Sequence, residues 1–147
     1  MTYNLKINML VGTYYHTLEG KGRFSLPKCF RSESDHWVLT AGLDGCVFIF
    51  KQQEYETEAT KLAQLSYYQA DHRALVRHFA SHASVQTPDS LGRLTLSADL
   101  RQLAGITKSI VIVGALTRLE VWDQDRYHQF FDNLAQTIDT QVEQIAV

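Results

Sequence analysis

Hydrophobic residues along this chain fall into short runs that favour strands and longer stretches with helical spacing. The short runs lie at 11–16, 23–26, 37–41 and 46–50, and again at 83–86, 93–96, 109–113 and 119–122. Helices are predicted at about 53–66, at 71–79 and from Tyr127 towards the C-terminal end. In this last helix apolar residues recur on one face as far as Ile145.

Glycine-rich turns separate the strand-like runs. The segment 19–22 holds two glycines, which permit the positive φ angles of a hairpin loop, so a hairpin between 11–16 and 23–26 is predicted. A second hairpin is predicted around the turn 42–45. Pro27 ends its strand because proline has no N–H to offer a ladder.

The pattern occurs twice because the chain repeats itself. A shift of 70 residues, increased to 72 after a two-residue insertion, brings ten identical residues into register in order. They include the pairs Gly22/Gly92, Arg23/Arg93, Arg31/Arg101, Tyr55/Tyr127 and Leu62/Leu134. We interpret the chain as a tandem duplication.

Four short strands and one helix cannot bury their own apolar face, so the two copies are expected to pack together. The predicted fold class is α+β, a pseudo-twofold β-barrel with flanking helices. The predicted divisions are an N-terminal extension at 1–8, a first repeat at 9–68, a linking helix at 69–80 and a second repeat at 81–147. The terminal helix is expected to cover the core and is a plausible contact for self-association.

Composition narrows the class of protein. A chain of 147 residues with 45% hydrophobic and 20% charged residues fits one ordinary globular domain. It has neither an apolar stretch of membrane-spanning length nor a secretory leader, so we expect a cytoplasmic protein without a membrane partner. Cys29 and Cys46 are then expected to stay reduced, with core packing as their role.

Charge is unevenly distributed, although the net charge is only -2. Residues 20–31 hold four cations (Lys21, Arg23, Lys28 and Arg31) and no acid. Residues 119–147 hold six acids and a single arginine. The small positive patch is therefore suited to an anion, while the acidic remainder faces solvent.

The same motif marks the turn after the first strand of each copy. Glu19 precedes Arg23 by four residues, as Asp89 precedes Arg93. One interpretation is an acid–arginine pair that fixes each loop. The other is a loop-presented arginine that binds phosphate or a guanine edge, which the neighbouring cations favour for the first copy.

Catalytic and metal-binding alternatives have weaker support. Glu19 and Asp89 could share a proton as a carboxylate dyad, but each has an arginine four residues away that would keep it ionised. His78 and His82 have the spacing of metal ligands, yet no third ligand accompanies them. No residues orient Cys29 as a nucleophile. We therefore predict no enzyme, no cofactor and no metal site.

The residues from Met9 to Pro27 resemble the opening of the MraZ family, and 81–94, 100–106 and 119–123 resemble its second half. The family signature, Asp-x-x-x-Arg, stands at Asp89 and Arg93, whereas Glu19 replaces the first aspartate. Residues 1–8 precede the usual start of the family, which makes Met9 a possible initiator.

This resemblance implies an AbrB-like swapped-hairpin barrel that forms a homo-oligomeric ring of eight or more copies. It also implies a nucleoid-associated transcriptional regulator that binds double-stranded DNA at GTG-containing repeats, in the promoter of the division and cell-wall gene cluster. The implied DNA-binding residues are Glu19, Lys21, Arg23, Lys28, Arg31, Asp89 and Arg93. The alternative is a protein-interaction barrel that does not bind DNA.

Overall fold

The computed structural model describes residues 9–145, so the predicted extension at 1–8 lies outside the described residues. Its strands are β1 (Thr13–Thr17), β2 (Arg23–Ser25), β3 (Trp37–Ala41), β4 (Val47–Lys51), β5 (Ser84–Gln86), β6 (Arg93–Thr95), β7 (Ser109–Gly114) and β8 (Leu119–Asp123). Its helices are α1 (Gln52–Ala63), α2 (Ala70–Ser81), α3 (Ala98–Leu103) and α4 (Gln124–Glu143). The strand-like runs of the sequence are all found as strands, and the fold is α+β.

The strands form two antiparallel sheets. Six strands lie in the order β1-β7-β8-β4-β3-β5, and β2 pairs with β6 alone. Four of these ladders join one copy to the other, namely β1 with β7, β3 with β5, β4 with β8 and β2 with β6. The order is open, with β1 and β5 at its ends.

The hairpin predicted between the first two strands is wrong. The chain does reverse, through a single bridge between Glu19 and Arg23, but β1 and β2 then pair with strands of the second copy. Phe24 on β2 stands opposite Leu94 on β6, and both are buried. Pairing across the copies buries both side chains in a shared core, which a hairpin within one small copy cannot provide. The hairpin predicted around 42–45 is confirmed by the β3–β4 ladder.

One continuous core lies between the copies. Its fully buried members include Trp37 and Ile49 from the first copy and Leu96 and Ile112 from the second. A second apolar group, the outer cluster, lies on the other side of the sheet and consists of buried Cys46, Phe48, Phe50 and Trp122. Both faces of β3 and β4 are therefore covered, which explains why these strands are buried along their whole length.

Helices cover the outer cluster. Tyr55 of α1, Phe79 of α2 and Tyr127, Phe130 and Phe131 of α4 pack against it. The first turns of α4 thus behave as predicted. Beyond them the expectation that the apolar stripe of α4 covers the core is wrong, because Ile138, Val142 and Ile145 are 41%, 53% and 60% exposed.

The short helix α3 was not predicted. The side-chain oxygen of Ser97 caps it by accepting a hydrogen bond from the N–H of Leu100 at 3.2 Å. At the equivalent place in the first copy, Pro27 is followed only by a 3-10 turn at Lys28–Phe30. A six-residue helix is too short for periodicity to identify, so the serine cap is its only signal in the sequence.

Candidate nucleic-acid interface

The fold brings the two charged loops together. The first loop (residues 19–23) leads into β2, the second loop (residues 89–93) leads into β6, and these strands are paired. The exchange is reciprocal, since the N–H of Leu26 donates to the carbonyl of Gly92 at 2.9 Å and that of Leu96 to the carbonyl of Gly22 at 2.8 Å. All the predicted loop residues therefore share one end of the molecule.

Each loop closes through the same backbone contacts. The N–H of Glu19 donates to the carbonyl of Arg23 at 2.7 Å, and the N–H of Asp89 donates to that of Arg93 at 3.1 Å. Gly22 has φ 77° and Gly92 has φ 75°, the left-handed region that glycine adopts without strain. The duplication thus produces two copies of one tight turn.

The acid–arginine pair that the motif suggests is confirmed in the second loop, between Asp89 and Arg93, but it does not form in the first. Asp89 does contact its own loop: Oδ1 accepts hydrogen bonds from the N–H groups of Leu91 and Arg93, and Oδ2 accepts from Nε of Arg93 at 2.8 Å. Glu19 instead crosses to the other copy, where Oε2 accepts from Nη1 of Arg93 at 2.8 Å. The predicted ion pair between Glu19 and Arg23 is wrong.

Side-chain length explains this difference. An aspartate is short enough to accept hydrogen bonds from N–H groups of its own turn, whereas a glutamate adds a methylene and reaches farther. In the second loop this hydrogen bonding, first of all from the N–H of Arg93, lowers the pKa of Asp89. Hydrogen bonds from Arg93 to Glu19, and then to Asp89, raise the pKa of Arg93. This guanidinium is held between two carboxylates, which neutralises the second loop.

The cations of the first loop are placed differently. Nε of Arg23 donates to the carbonyl of Gly20 at 3.2 Å, and along residues 9–145 Arg23 forms no ion pair with a carboxylate. Lys21 stands at the turn with φ 65° and is exposed, as is Lys28 in the following 3-10 turn. The first loop therefore presents charge that no neighbouring acid cancels within the described chain.

Arg31 lies elsewhere than its place in the sequence suggests. Its Nε donates to the carbonyl of Leu26 at 2.9 Å, and its guanidinium lies so close to Gly92 that a Cβ there would overlap it. Arg101 occupies the equivalent position beside Gly22. Because β2 and β6 pair across the copies, the arginine that lies six residues after each strand packs against the loop of the other copy. Arg31 thus supports the second loop, and Arg101, which the sequence analysis missed, supports the first.

The other polar candidates have structural partners. Nε2 of His78 contacts the carbonyl of Gly42 at 2.7 Å, and Nδ1 of His82 contacts that of His78 at 3.0 Å. Glu19 and Asp89 both bind Arg93, and the lowered pKa of Asp89 argues against a shared proton. Within residues 9–145, no three His, Cys, Asp or Glu side chains are grouped to hold a metal ion.

The two cysteines differ. Cys46 lies in the outer cluster as expected, where burial raises the pKa of its thiol. Cys29 is exposed and donates to Oη of Tyr14 at 3.4 Å, so its predicted core position is wrong. The 3-10 turn that follows Pro27 buries Phe30 and leaves the preceding side chain outside. Both thiols are free.

These features define a class, a duplicated α+β domain that presents two tight charged loops side by side at one end. The MraZ family model, whose description calls its members antitoxin-like, matches twice, at residues 9–78 and 79–146. The chain belongs to the MraZ family. None of the helices in the described part of the chain is both long and apolar enough to cross a bilayer.

Several relatives are similar over most of their length. The chain is 41% identical over 130 residues to the transcriptional regulator MraZ of Alkaliphilus oremlandii, covering 86% of this chain and 91% of the relative. It is 39% identical over 132 residues to that of Ligilactobacillus salivarius, covering 89% and 92%. For Moorella thermoacetica the identity is 39% over 123 residues, covering 83% and 86%. These relatives are named as transcriptional regulators and not as enzymes.

Proposed function

We propose that this chain is a transcription regulator that binds double-stranded DNA through its first loop and acts as a homo-oligomeric ring. The relatives named above support regulation of transcription. One structural observation carries the choice of loop: Lys21, Arg23 and Lys28 have no carboxylate partner in the described chain, whereas Arg93 is held by two.

The proposed contact follows from the chemistry of arginine. A guanidinium donates two parallel hydrogen bonds to O6 and N7 of guanine, and arginine or lysine binds phosphate. Arg23 closes the hydrogen-bonded turn and would read a guanine of a GTG repeat, with Lys21 and Lys28 on phosphates. Glu19, Arg31, Asp89 and Arg93 would hold the loops in position from behind. The target would be the promoter of the division and cell-wall gene cluster.

A ring would compensate for the small charge of each loop. One patch repeated around a ring meets successive sites on the same duplex, and linked contacts raise avidity by orders of magnitude. The net charge of -2 would then be compatible with DNA binding, because only the loops face the duplex. The protein would act in the cytoplasm, associated with the nucleoid.

The architecture proposed for this function is a pseudo-twofold swapped-hairpin barrel of the AbrB-like type. The four ladders that join the copies support it, since each copy completes its sheet with strands of the other. The proposed division is a first repeat at 9–68, a linking helix at 69–80 and a second repeat at 81–147.

Fluorescence anisotropy tests the function directly. The purified chain is titrated against DNA from upstream of its own gene and against a scrambled duplex of the same composition, at two salt concentrations. We expect tighter binding to the first duplex and a steep loss with salt, with a log–log slope of about -0.9 for each phosphate neutralised. Folded, oligomeric protein that binds neither duplex would overturn the proposal and favour the protein-interaction barrel.

A further inference from the structure

The distal part of α4 leaves its apolar side chains without cover. Residues 134–145, which we call distal α4, comprise the end of α4 and the two residues that follow it, and they carry Leu134, Ile138, Val142 and Ile145 at intervals of four, four and three. This spacing places them along one side of the chain. Ile138, Val142 and Ile145 are all more than 40% exposed. Ile138 and Val142 lie on α4 and Ile145 follows two residues after its end. A row of exposed aliphatic residues of this kind is typical of an interaction surface rather than of a solvated helix.

The repeat shows what is different about this helix. Its equivalent in the first copy, α1, ends at Ala63, and the chain then turns back so that α2 packs against α1. Along the described chain, the main contacts of α4 are with β7 and β8, and the helix runs without interruption to Glu143. Leu134 corresponds to Leu62, which faces the junction of α1 and α2. Distal α4 therefore lacks the helix–helix contact that its counterpart makes.

A matching concavity lies at that junction. It is a cavity of about 320 Å³, the α1–α2 notch, whose lining includes Leu62, Leu65, Tyr67, Val76, Arg73 and Arg77. No carboxylate is among the residues lining the notch. Arg73 uses Nη1 to hold the carbonyl of Tyr67 at 2.9 Å, and Arg77 is exposed beside it. The notch thus combines apolar walls with a positive rim.

Charge decides which surface suits distal α4. Residues 132–145 contain Asp132, Asp139 and Glu143 and no lysine or arginine. Two copies of this helix packed on each other would bring like charges together, which is unfavourable. The arginine-rimmed notch offers the opposite charge and an apolar floor, so the helix and the notch are complementary in both respects.

We propose that distal α4 of one molecule docks in the α1–α2 notch of a second molecule of this chain. This contact joins two different surfaces, and such head-to-tail interfaces generate rings when the rotation closes. The inference rests on the ring of the proposed function and deepens it by identifying the interface. Ile138 and Val142 would enter the notch, with Asp139 and Glu143 beside Arg73 and Arg77.

Disulfide trapping tests the pairing directly. In a Cys29→Ser background, which removes the exposed thiol, one preparation carries Val142→Cys and another carries Val76→Cys. Mixing them under mild oxidation should give cross-linked dimers that neither preparation gives alone. Leu103→Cys replaces Val76→Cys as the control, because Leu103 is an exposed helical position that lies outside the notch. Cross-linking of Val142→Cys with itself, or equal cross-linking with the control, would overturn the docking.

Charge reversal tests the same contact in solution. Arg77→Glu and Glu143→Arg should each dissociate the oligomer in sedimentation velocity, and the two substitutions together should restore it. The exposed control Leu103→Glu should leave the oligomer intact. An oligomer that persists in both single variants would overturn the docking and leave the ring standing. If the unmodified chain sediments as a monomer, the ring and the docking both fail.

Discussion

Replacing Arg23 with alanine should weaken binding to promoter DNA more than replacing Arg93. Both substitutions remove one positive charge, so charge counting alone predicts equal losses. The structure distinguishes them: Arg93 spends Nε and Nη1 on Asp89 and Glu19, whereas Arg23 makes one hydrogen bond, to the carbonyl of Gly20. Arg93 is also paired with two carboxylates, whereas Arg23 keeps four of its five N–H donors and a charge that no carboxylate of the described chain pairs with.

The magnitude follows from the contacts available in the first copy. If Lys21, Arg23 and Lys28 each neutralise one phosphate, their combined salt slope is about -2.7 per loop, of which Arg23 supplies about -0.9. When the salt concentration rises from roughly 50 to 200 mM, a variant that lacks this contact would therefore lose about 3.5-fold less affinity than the unmodified chain. If Arg23 instead reads a guanine, about 1–3 kcal/mol is lost on the specific duplex alone, which is roughly 5- to 150-fold.

Anisotropy titrations at four salt concentrations separate these cases. Arg23→Ala should reduce the slope, or abolish the preference for the promoter over the scrambled duplex. Arg93→Ala should leave the slope unchanged, because its charge is already neutralised within the protein. Arg23→Lys keeps the charge but loses the bidentate geometry, so it should retain the slope and lose the preference. Equal slopes and equal losses for the two alanine variants would refute the reasoning.

Three further predictions concern stability. Gly22→Ala should lower the unfolding free energy by at least about 1–2 kcal/mol, because φ is 77° and the new Cβ would overlap the carbonyl of Leu96. The control Gly20→Ala, whose Cβ meets open space, should leave the melting temperature unchanged. The pKa of Asp89 is lowered by folding, so its stabilisation is complete above the unfolded value of about 3.9 and is lost as the pH falls through the lower folded value. The difference in melting temperature between the unmodified chain and Asp89→Asn should therefore shrink from about pH 6 to about pH 3, and a constant difference would contradict this. Phe131→Ala should lower stability by roughly 2 kcal/mol in urea denaturation, because its ring packs on Trp122 at 5.7 Å; an unchanged midpoint would show that α4 does not cover the outer cluster.

Local pattern was sufficient for most elements. The strand-like runs of the sequence all form strands, and α1, α2 and α4 lie within a few residues of their predicted bounds. Periodicity and turn chemistry act over a few residues, so they are visible in the sequence. Helix α3 was not predicted because six residues are too few to show a helical period, although Ser97 at its start is a recognisable cap.

The partners of the loop residues were not predictable in the same way. Glu19 lies four residues from Arg23 along the chain, yet its carboxylate binds Arg93 from the other copy. Arg31 likewise belongs to the positive patch of residues 20–31 in the sequence, but in the fold its guanidinium packs against Gly92 of the second loop. Both errors have one cause, which is that pairing of β2 with β6 interleaves the copies.

The sequence by itself determined the duplication, the α+β class, the two arginine loops and the family to which the chain belongs. Only the tertiary structure decided which strands pair, which arginine is neutralised and which face of α4 stays uncovered. The reason is that a copy of this size cannot bury its own apolar surface, so its strands are completed by the other copy. Contacts made across 70 or more residues depend on that exchange, and no local pattern specifies them.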